Sequence, residues 1–344
     1  MIAFGPVPSR RLGRSLGINN IPPKICTYSC VYCQLGRTIK MQVERDAFYA
    51  PEEILRDVQG KVEKAKEVGE PVDYLTFVPD GEPTLDVNLG REIELLRPLG
   101  IKVAVITNGS LMWREDVRGA LMEADWVSLK MDSVREETWR QVDRPYGALR
   151  LASILDGALE FAGEFEGKLA TETMLVEGVN DGVEHLKEVA DFLARLQPSA
   201  AYLSIPIRPP AEGWVRPPDE GVINRAYQIM SERLDRADNQ HPADNQHPAD
   251  KQHPADKHHP VEYLIGYEGN AFAFTGNVED DLLSITSVHP MREDAVSEFL
   301  ARARPKRGAG ADWSVVRGLV AQGQLVETEY EGRKFYTRRL PRGR

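Results

Sequence analysis

Cysteine is scarce in this chain: the 344 residues contain three, and all lie within eight positions, at Cys26, Cys30 and Cys33. A secreted disulfide framework scatters an even number of cysteines along its length, so this usage points to metal ligands in a reducing compartment and to a cytoplasmic protein. Long apolar runs are missing as well. Nowhere do about 20 consecutive apolar residues occur, as a membrane-spanning helix requires, and the first stretch of sequence holds no uninterrupted apolar segment of the signal-peptide kind. No Walker-type phosphate loop is present, so nucleotide hydrolysis has no support. Positive charge is in deficit: the net charge is −10, unfavourable for gripping nucleic acid over the whole surface. The deficit is uneven, because residues 289–344 hold twelve Lys/Arg against seven Asp/Glu, a net +5 that leaves −15 for the rest. Contact with a polyanion therefore falls to that tail if it occurs at all, and a solvated face is the plainer reading.

What remains is a globular balance, 42% hydrophobic and 28% charged residues, in a chain longer than one core usually supports. One large catalytic domain with a smaller appendage is expected. Short β-rich apolar runs at 15–18, 74–78, 103–107, 126–131, 171–176 and 202–207 alternate with helical patterns at 51–68, 89–96, 114–123, 150–161, 183–196 and 220–234. Such βα repetition implies a parallel sheet covered on both faces. Six units are too few for a closed eight-fold barrel, so the expected class is α/β, a partial (β/α)6 barrel spanning 1–235 with its site at the C-terminal strand ends.

Residues 236–260 break the pattern with a short repeat, HPADNQ, HPADKQ and HPADKH, which carries His241, His247, His253, His258 and His259. Lacking large apolar residues, it cannot build a core; it reads as a low-complexity, flexible insert rather than a selective metal site. A connecting β segment is expected over 261–288. Within 289–344, helices at 291–304 and 312–322 precede a hairpin of 325–330 and 334–338 around Glu331-Gly332. Helices followed by a two-stranded wing read as a small winged-helix-like domain, a fold that serves DNA, RNA or protein contacts.

The chemistry is concentrated in Cys26-Thr27-Tyr28-Ser29-Cys30-Val31-Tyr32-Cys33. Three thiolates on one compact loop can hold three corners of a cubane cluster and leave the fourth iron open to an exogenous ligand. Zinc is the competing reading, but it wants a fourth Cys or His, and the nearest histidine in sequence is His185.

C-x3-C-x2-C with Tyr32 before the last cysteine resembles the signature of the radical S-adenosylmethionine superfamily. That resemblance implies one [4Fe–4S] cluster on Cys26, Cys30 and Cys33, and S-adenosyl-L-methionine chelated to the open iron. Reductive cleavage of the cofactor then gives methionine and a 5′-deoxyadenosyl radical for hydrogen abstraction. It also implies an electron donor such as flavodoxin or ferredoxin. Further motifs match the family's cofactor-binding turns. Asp80-Gly81-Glu82-Pro83-Thr84 is similar to the turn that receives the methionine amino group, and Thr107-Asn108-Gly109-Ser110 to a strand-end turn beside the cofactor. The segment Ser128-Leu129-Lys130-Met131-Asp132-Ser133 is similar to one whose polar residues meet the ribose or the methionine carboxylate. Tyr32, Gly81, Glu82, Thr107, Asn108, Ser128, Lys130 and Asp132 are accordingly the cofactor-binding candidates, Asp132 having a helix cap as its alternative role. Glu172, Met174 and Arg208 are candidate pocket residues.

Within the superfamily, Phe4-Gly5-Pro6-Val7-Pro8-Ser9-Arg10-Arg11-Leu12-Gly13 followed by Cys-Val-Tyr-Cys-Gln and Gly-Glu-Pro-Thr resembles the subset that includes wyosine-type tRNA-modifying enzymes. Arg10 and Arg11 could meet an anionic substrate. The additional cysteines expected of such enzymes for a second cluster are absent. The substrate is therefore open: a tRNA base presented by the C-terminal domain, or a small metabolite or partner protein. The reading from another class is a non-catalytic metal- or redox-sensing regulator that binds DNA through the winged helix.

Overall fold

Strands that are apolar on both faces are stable only between two covering layers, and the six runs anticipated above become neighbours in one sheet. The computed structural model describes residues 2–240, 261–266, 269–270, 272–303 and 312–339. In chain order the strands are β1 (Ala3–Ser9), β2 (Gly13–Ile18), β3 (Ile25–Cys26), β4 (Lys40–Met41), β5 (Tyr74–Phe77), β6 (Lys102–Thr107), β7 (Trp126–Lys130), β8 (Lys168–Met174), β9 (Ala200–Ser204), β10 (Val261–Leu264), β11 (Met291–Arg292), β12 (Leu325–Tyr330) and β13 (Arg333–Arg338). The helices are α1 (Pro51–Glu67), α2 (Leu89–Leu96), α3 (Glu115–Leu121), α4 (Glu136–Val142), α5 (Leu151–Glu164), α6 (Val183–Leu196), α7 (Glu220–Gln240), α8 (Val278–Val288), α9 (Glu293–Arg302) and α10 (Ser314–Ala321).

The main sheet runs β1-β2-β5-β6-β7-β8-β9-β10, parallel throughout except for β1, which lies antiparallel to β2. It curls into a half barrel with the helices outside. Leu16, Leu75, Phe77, Val105, Val127, Leu129 and Leu203 point into the helical layer. There α1 presents Ile54, Val58, Val62 and Ala65 at the helical period, with Pro51 at its first turn, Glu52 and Glu53 beside it, and Lys64 and Lys66 in the last turn. Burial of each such aliphatic side chain contributes about 1.5–3 kcal/mol. The alternate residues face inward: Ala104, Trp126, Ala170 and Tyr202 form a small aromatic floor with Leu12.

Two strands exceed the six expected units. β1 carries Pro6 and Pro8, residues that obscure a strand pattern and are tolerated because β1 is an edge. β10 adds parallel to β9 at the other edge. The expected connecting β segment is thus corrected: its first part joins the main sheet, and 278–288 is the helix α8, capped by the Asn277 side chain, which accepts from the backbone N–H of Glu279 and Asp280. α7 likewise continues to Gln240, past the expected start of the insert, since nothing between Arg236 and Gln240 breaks a helix. The repeat histidines from His241 to His259 lie outside the described residues.

The C-terminal elements follow the order α8, β11, α9, α10, β12, β13, with the three strands paired β11-β13-β12. Their core of Phe272, Leu282, Ile285, Met291, Phe299, Leu319 and Tyr336 also takes in Val7 of β1. Tyr330 donates its hydroxyl to the Pro206 carbonyl at 3.1 Å, and Gln34 Nε2 donates to the Val288 carbonyl at 2.8 Å, so this unit sits against the rim where the cysteine loop lies.

Gly157 shows how closely the outer layer packs. A Cβ there would stand 2.1 Å from the Met112 carbonyl oxygen, whereas one at Gly60 of α1 would meet nothing within 4 Å. Alanine normally favours a helix interior over glycine by about 1 kcal/mol. We expect Gly60→Ala to raise the unfolding free energy by about 0.5–1 kcal/mol and Gly157→Ala to lower it by about 1–3 kcal/mol. Urea unfolding of the two variants checks this; equal signs would contradict the packing.

Candidate functional site

The loop between β2 and α1 carries the cysteines, and since it has little regular structure its backbone groups must find partners elsewhere. They find them on the other loops of the same rim. The Lys24 N–H donates to the Asp80 carbonyl (2.7 Å), the Ile25 carbonyl accepts from Glu82 (3.1 Å), and the Thr27 carbonyl accepts from Tyr146 (2.8 Å). Ser29 donates to the Asp143 carbonyl (3.0 Å), Val31 donates to that of Val142 (2.9 Å), and the Val31 carbonyl accepts from Glu212 (3.0 Å). Gly81 is required by this packing: a Cβ there would sit 2.0 Å from the Ile25 carbonyl oxygen. The close approach that glycine permits is thus to the cysteine loop.

All three cysteines are partly exposed, and their sulfurs meet polar groups. Cys26 Sγ accepts from the Tyr28 backbone N–H and from Asn108 Nδ2, each at 3.5 Å. The Lys24 ammonium lies 3.7 Å from Cys33 Sγ, and Cys30 Sγ lies 3.4 Å from Asp143 Oδ1. Burial, then Glu82, pushes the Cys26 thiol up to about 12; burial, then Asp143, raises Cys30 well above the ordinary thiol value. Thiol protons must therefore leave when these sulfurs bind a metal. Among the described residues, no three His, Cys, Asp or Glu side chains converge as ligands of a single metal ion. The donor set nevertheless fits a cluster, which spreads its ligands over separate irons and is stabilised by N–H donors to sulfur.

Glu82 is buried and fully engaged on one oxygen. Its Oε1 accepts from the Thr84 N–H (3.0 Å), the Thr84 hydroxyl (2.6 Å) and the Thr107 hydroxyl (2.6 Å), and its Oε2 accepts from the Asn108 N–H (2.8 Å). It ties the ends of β5 and β6 together, and only Oε2 retains room for a further donor. Asn108 Nδ2 also donates to Thr27 Oγ1 (2.8 Å), and Thr27 bonds Ser110 (2.6 Å).

On the inner face, Ser128 and Lys130 of β7 share one side with Ala170 and Glu172 of β8. Ser128 is buried there. Lys130 donates to Glu172 Oε1 at 2.9 Å and lies 4.9 Å from the Tyr32 ring centroid; Arg11 reaches Glu172 Oε2 at 2.5 Å across the rings of Trp126 and Tyr202. Ser204 adds a hydroxyl to Glu172 at 2.9 Å. Burial opposes the Glu172 charge, but Lys130 and Arg11 hold its carboxyl far below the usual carboxylate range. Burial opposes the Lys130 charge too, and Glu172 with Asp132 more than offsets it, so the ammonium is favoured.

Asp132 caps no helix. Its Oδ1 accepts from the Met174 N–H at 2.7 Å and its Oδ2 accepts from the Tyr32 hydroxyl, while α4 begins without a side-chain cap. Burial raises the carboxyls of both Asp132 and Asp143, and Asp132 raises Asp143 further. Arg208, by contrast, contacts Gln34 Oε1 (3.0 Å) and His289 Nε2 (2.9 Å), joining the cysteine loop to the C-terminal unit. Sequence reasoning missed Asp143, Lys24, Asn180 and His185. The last two hold the Asp132 carbonyl at 3.0 and 3.2 Å, and none of the four carries a local motif. Among the described residues, no helix is long and apolar enough to cross a membrane.

Residues 20–193 match the family profile described as "Radical SAM superfamily". The chain is 43% identical over 339 residues to a UPF0026 protein of Methanocaldococcus jannaschii, covering 98% of this chain and 96% of that one. It is 36% identical over 211 residues to a UPF0026 protein of Helicobacter pylori, covering 60% and 67%. Similar solved structures include TYW1 with a lysine-pyruvate adduct bound (19% identity, TM-score 0.48, 64% of this chain and 73% of that one). A radical SAM methyltransferase from Sphaerobacter thermophilus is another (18%, TM-score 0.48, 64% of each).

Two outcomes follow from the electrostatics. Glu172→Gln leaves Lys130 and Arg11 without their shared carboxylate and is expected to lower the unfolding free energy at pH 7 by about 3–5 kcal/mol; a loss under about 1 kcal/mol in urea titration would show the pairing to be inert. Asp80 is raised to about 7, chiefly by burial, with Lys24 and Arg338 opposing. A folded pKa above the ordinary value of 3.8 means stability that is complete below that value and lost as pH rises through about 7. Asp80→Asn should therefore gain on the wild type from pH 5 to pH 9, by on the order of a few kcal/mol, and parallel stability profiles would exclude the effect.

Proposed function

The chain belongs to the radical SAM superfamily, and from that premise we propose that Cys26, Cys30 and Cys33 hold one [4Fe–4S] cluster at which S-adenosyl-L-methionine is cleaved reductively. The observation that carries the reading is the C-x3-C-x2-C loop fixed at the C-terminal rim, with amide and ammonium donors on two of its sulfurs. When bound, the cluster supplies the electron that splits the cofactor into methionine and a 5′-deoxyadenosyl radical, which abstracts hydrogen from the substrate.

The protein's own residues do the positioning. Asn108 and the Tyr28 N–H orient Cys26, and Lys24 sets a positive charge beside Cys33. The Asp80-Gly81-Glu82 turn, pinned to Ile25, aligns the Thr107-Asn108 strand end beside the loop through Glu82. Buried Asp132 and half-buried Tyr32 and Lys130 form a polar face on the inner side, where Lys130 offers an ammonium for a carboxylate and Asp132 an acceptor for a hydroxyl. The aromatic floor, and the C-terminal unit bonded to the rim through Gln34 and Tyr330, would shield this interior from water, which a carbon radical requires. The working assignment is a cytoplasmic radical enzyme. A tRNA base is the candidate substrate, supported by the net +5 of residues 289–344, with the winged-helix-like unit presenting it.

Anaerobic reconstitution with iron and sulfide, then dithionite and S-adenosyl-L-methionine, should yield 5′-deoxyadenosine from the wild type. Cys30→Ala should lose both the cluster absorbance and the product, to the level of a protein-free control; product formation by that variant would sink the cluster assignment. Deuterium transfer into 5′-deoxyadenosine from labelled tRNA, and none from labelled metabolite extract, is the expected result for an RNA substrate, and the reverse result would replace it.

A further inference from the structure

Lys24, two residues before the first cysteine, combines features that rarely coincide. It is 4% exposed, although lysine is almost never fully buried without a partner of opposite charge. Its backbone stands at φ +64°, in the left-handed region that suits glycine and strains a residue with a Cβ. That conformation is pinned from both sides: the Lys24 N–H donates to the Asp80 carbonyl (2.7 Å), and the Lys24 carbonyl accepts from the N–H groups of Ile39 and Lys40 (3.1 Å each). A glycine would make the same three bonds without strain, so what lysine adds at this position is its side chain.

That side chain runs to the last cysteine. Nζ lies 3.7 Å from Cys33 Sγ and donates to the Gly36 carbonyl, while the Gly36 N–H closes a turn on the Cys33 carbonyl (3.0 Å). Among the described residues the ammonium is bonded to this sulfur and this carbonyl; the buried Asp80 carboxyl, whose Oδ1 has no hydrogen-bond partner, is not bonded to it. The other two sulfurs have no cation on them: Cys26 Sγ accepts from the Tyr28 N–H and the Asn108 amide, and Cys30 Sγ faces the Asp143 carboxyl. A carbonyl dipole alone is a weak partner for a buried ammonium, whereas a thiolate is a full negative charge.

We propose that Lys24 is a positioning residue whose ammonium is the fixed counter-charge of the Cys33 thiolate and raises the reduction potential of the centre that the three thiolates bind; the proposal rests on the cluster reading above. One electron added to that centre makes it more negative, and no covalent bond forms or breaks. A positive charge held against one ligand sulfur favours the added charge, and burial limits its screening by salt. The rival role is a mechanical clip, in which the ammonium only holds the Gly36 carbonyl so that the loop closes. The two roles part on charge.

The test is an anaerobic redox titration of the reconstituted full chain, followed by cluster absorbance, on the wild type, Lys24→Met, Lys24→Arg and Lys24→Gly, with iron and sulfide content measured for each. Lys24→Met should lower the equilibrium constant for one-electron reduction about tenfold, which is about 59 mV in midpoint potential, and Lys24→Arg, which keeps the charge, should stay within about threefold of the wild type. Lys24→Gly relieves the left-handed backbone and should shift as far as Lys24→Met. Both shifts should persist at high ionic strength, as those of an exposed lysine would not. A wild-type potential retained in Lys24→Met, or lost equally in Lys24→Arg, would overturn the proposal and leave the clip. If Lys24→Met and Lys24→Gly take up no iron and sulfide while Lys24→Arg does, the counter-charge stands and acts already at assembly; failure of all three variants would again leave the clip. A wild type that assembles no cluster would instead sink the functional reading, so the two failures are separable.

Discussion

The structure depends on how a nearly coil-like loop disposes of its backbone hydrogen bonds. Between Lys24 and Val31 the carbonyls and amides are shared among the loops that follow β5, α4 and β9, and the side chains of Thr27 and Cys26 are held by Asn108 after β6. A buried amide without a partner costs about 1–3 kcal/mol. Each bond therefore fixes the cysteine loop and the rim loop together, and the cysteines are held in place by the assembled rim rather than by their own segment. This explains why Gly81 and Glu82 are engaged in structure: one lets the β5 loop approach Ile25, and the other locks that loop to Thr107 and Asn108.

Much of the scaffold was legible in the sequence because its period is strong. All six apolar runs became strands, and the pattern at 183–196 returned as α6 with Leu186, Val189, Ala190, Leu193 and Leu196 buried. What escaped lacked a period to detect. β1 is interrupted by prolines, β10 has four residues, and α4 turns on Trp139 and Val142 alone. The 278–288 run mixes buried Ser284, Thr286 and Ser287 with Leu282 and Ile285, a composition that reads as strand until Asn277 is recognised as a cap.

The site divides along the same line. Cys26, Cys30 and Cys33 announce themselves by spacing, because a local loop must present them together. Asp143 reaches Cys30 and Tyr32 across more than a hundred residues of chain, and Arg11 reaches Glu172 from the β1–β2 turn, so no window of sequence contains either pair. The reading of Arg11 as an anion binder assumed a free guanidinium. In the fold that guanidinium serves Glu172, which in turn keeps Lys130 charged inside the barrel. Isolated, any of the three would carry a large desolvation penalty; as a group they make a buried polar face affordable.

That arrangement leaves the cysteine loop held from several directions. Toward the sheet, Tyr32 bonds Asp132 and lies against Lys130, whose strand also supplies Trp126 to the aromatic floor. The loop is bonded on each flank: the side chain of Gln34, immediately after Cys33, donates to the Val288 carbonyl of the C-terminal unit, while the carbonyls of Thr27 and Val31 accept from the N–H groups of Tyr146 and Glu212. Loosening either flank would therefore disturb the cysteines themselves, which makes their placement a property of the assembled rim rather than of the loop alone.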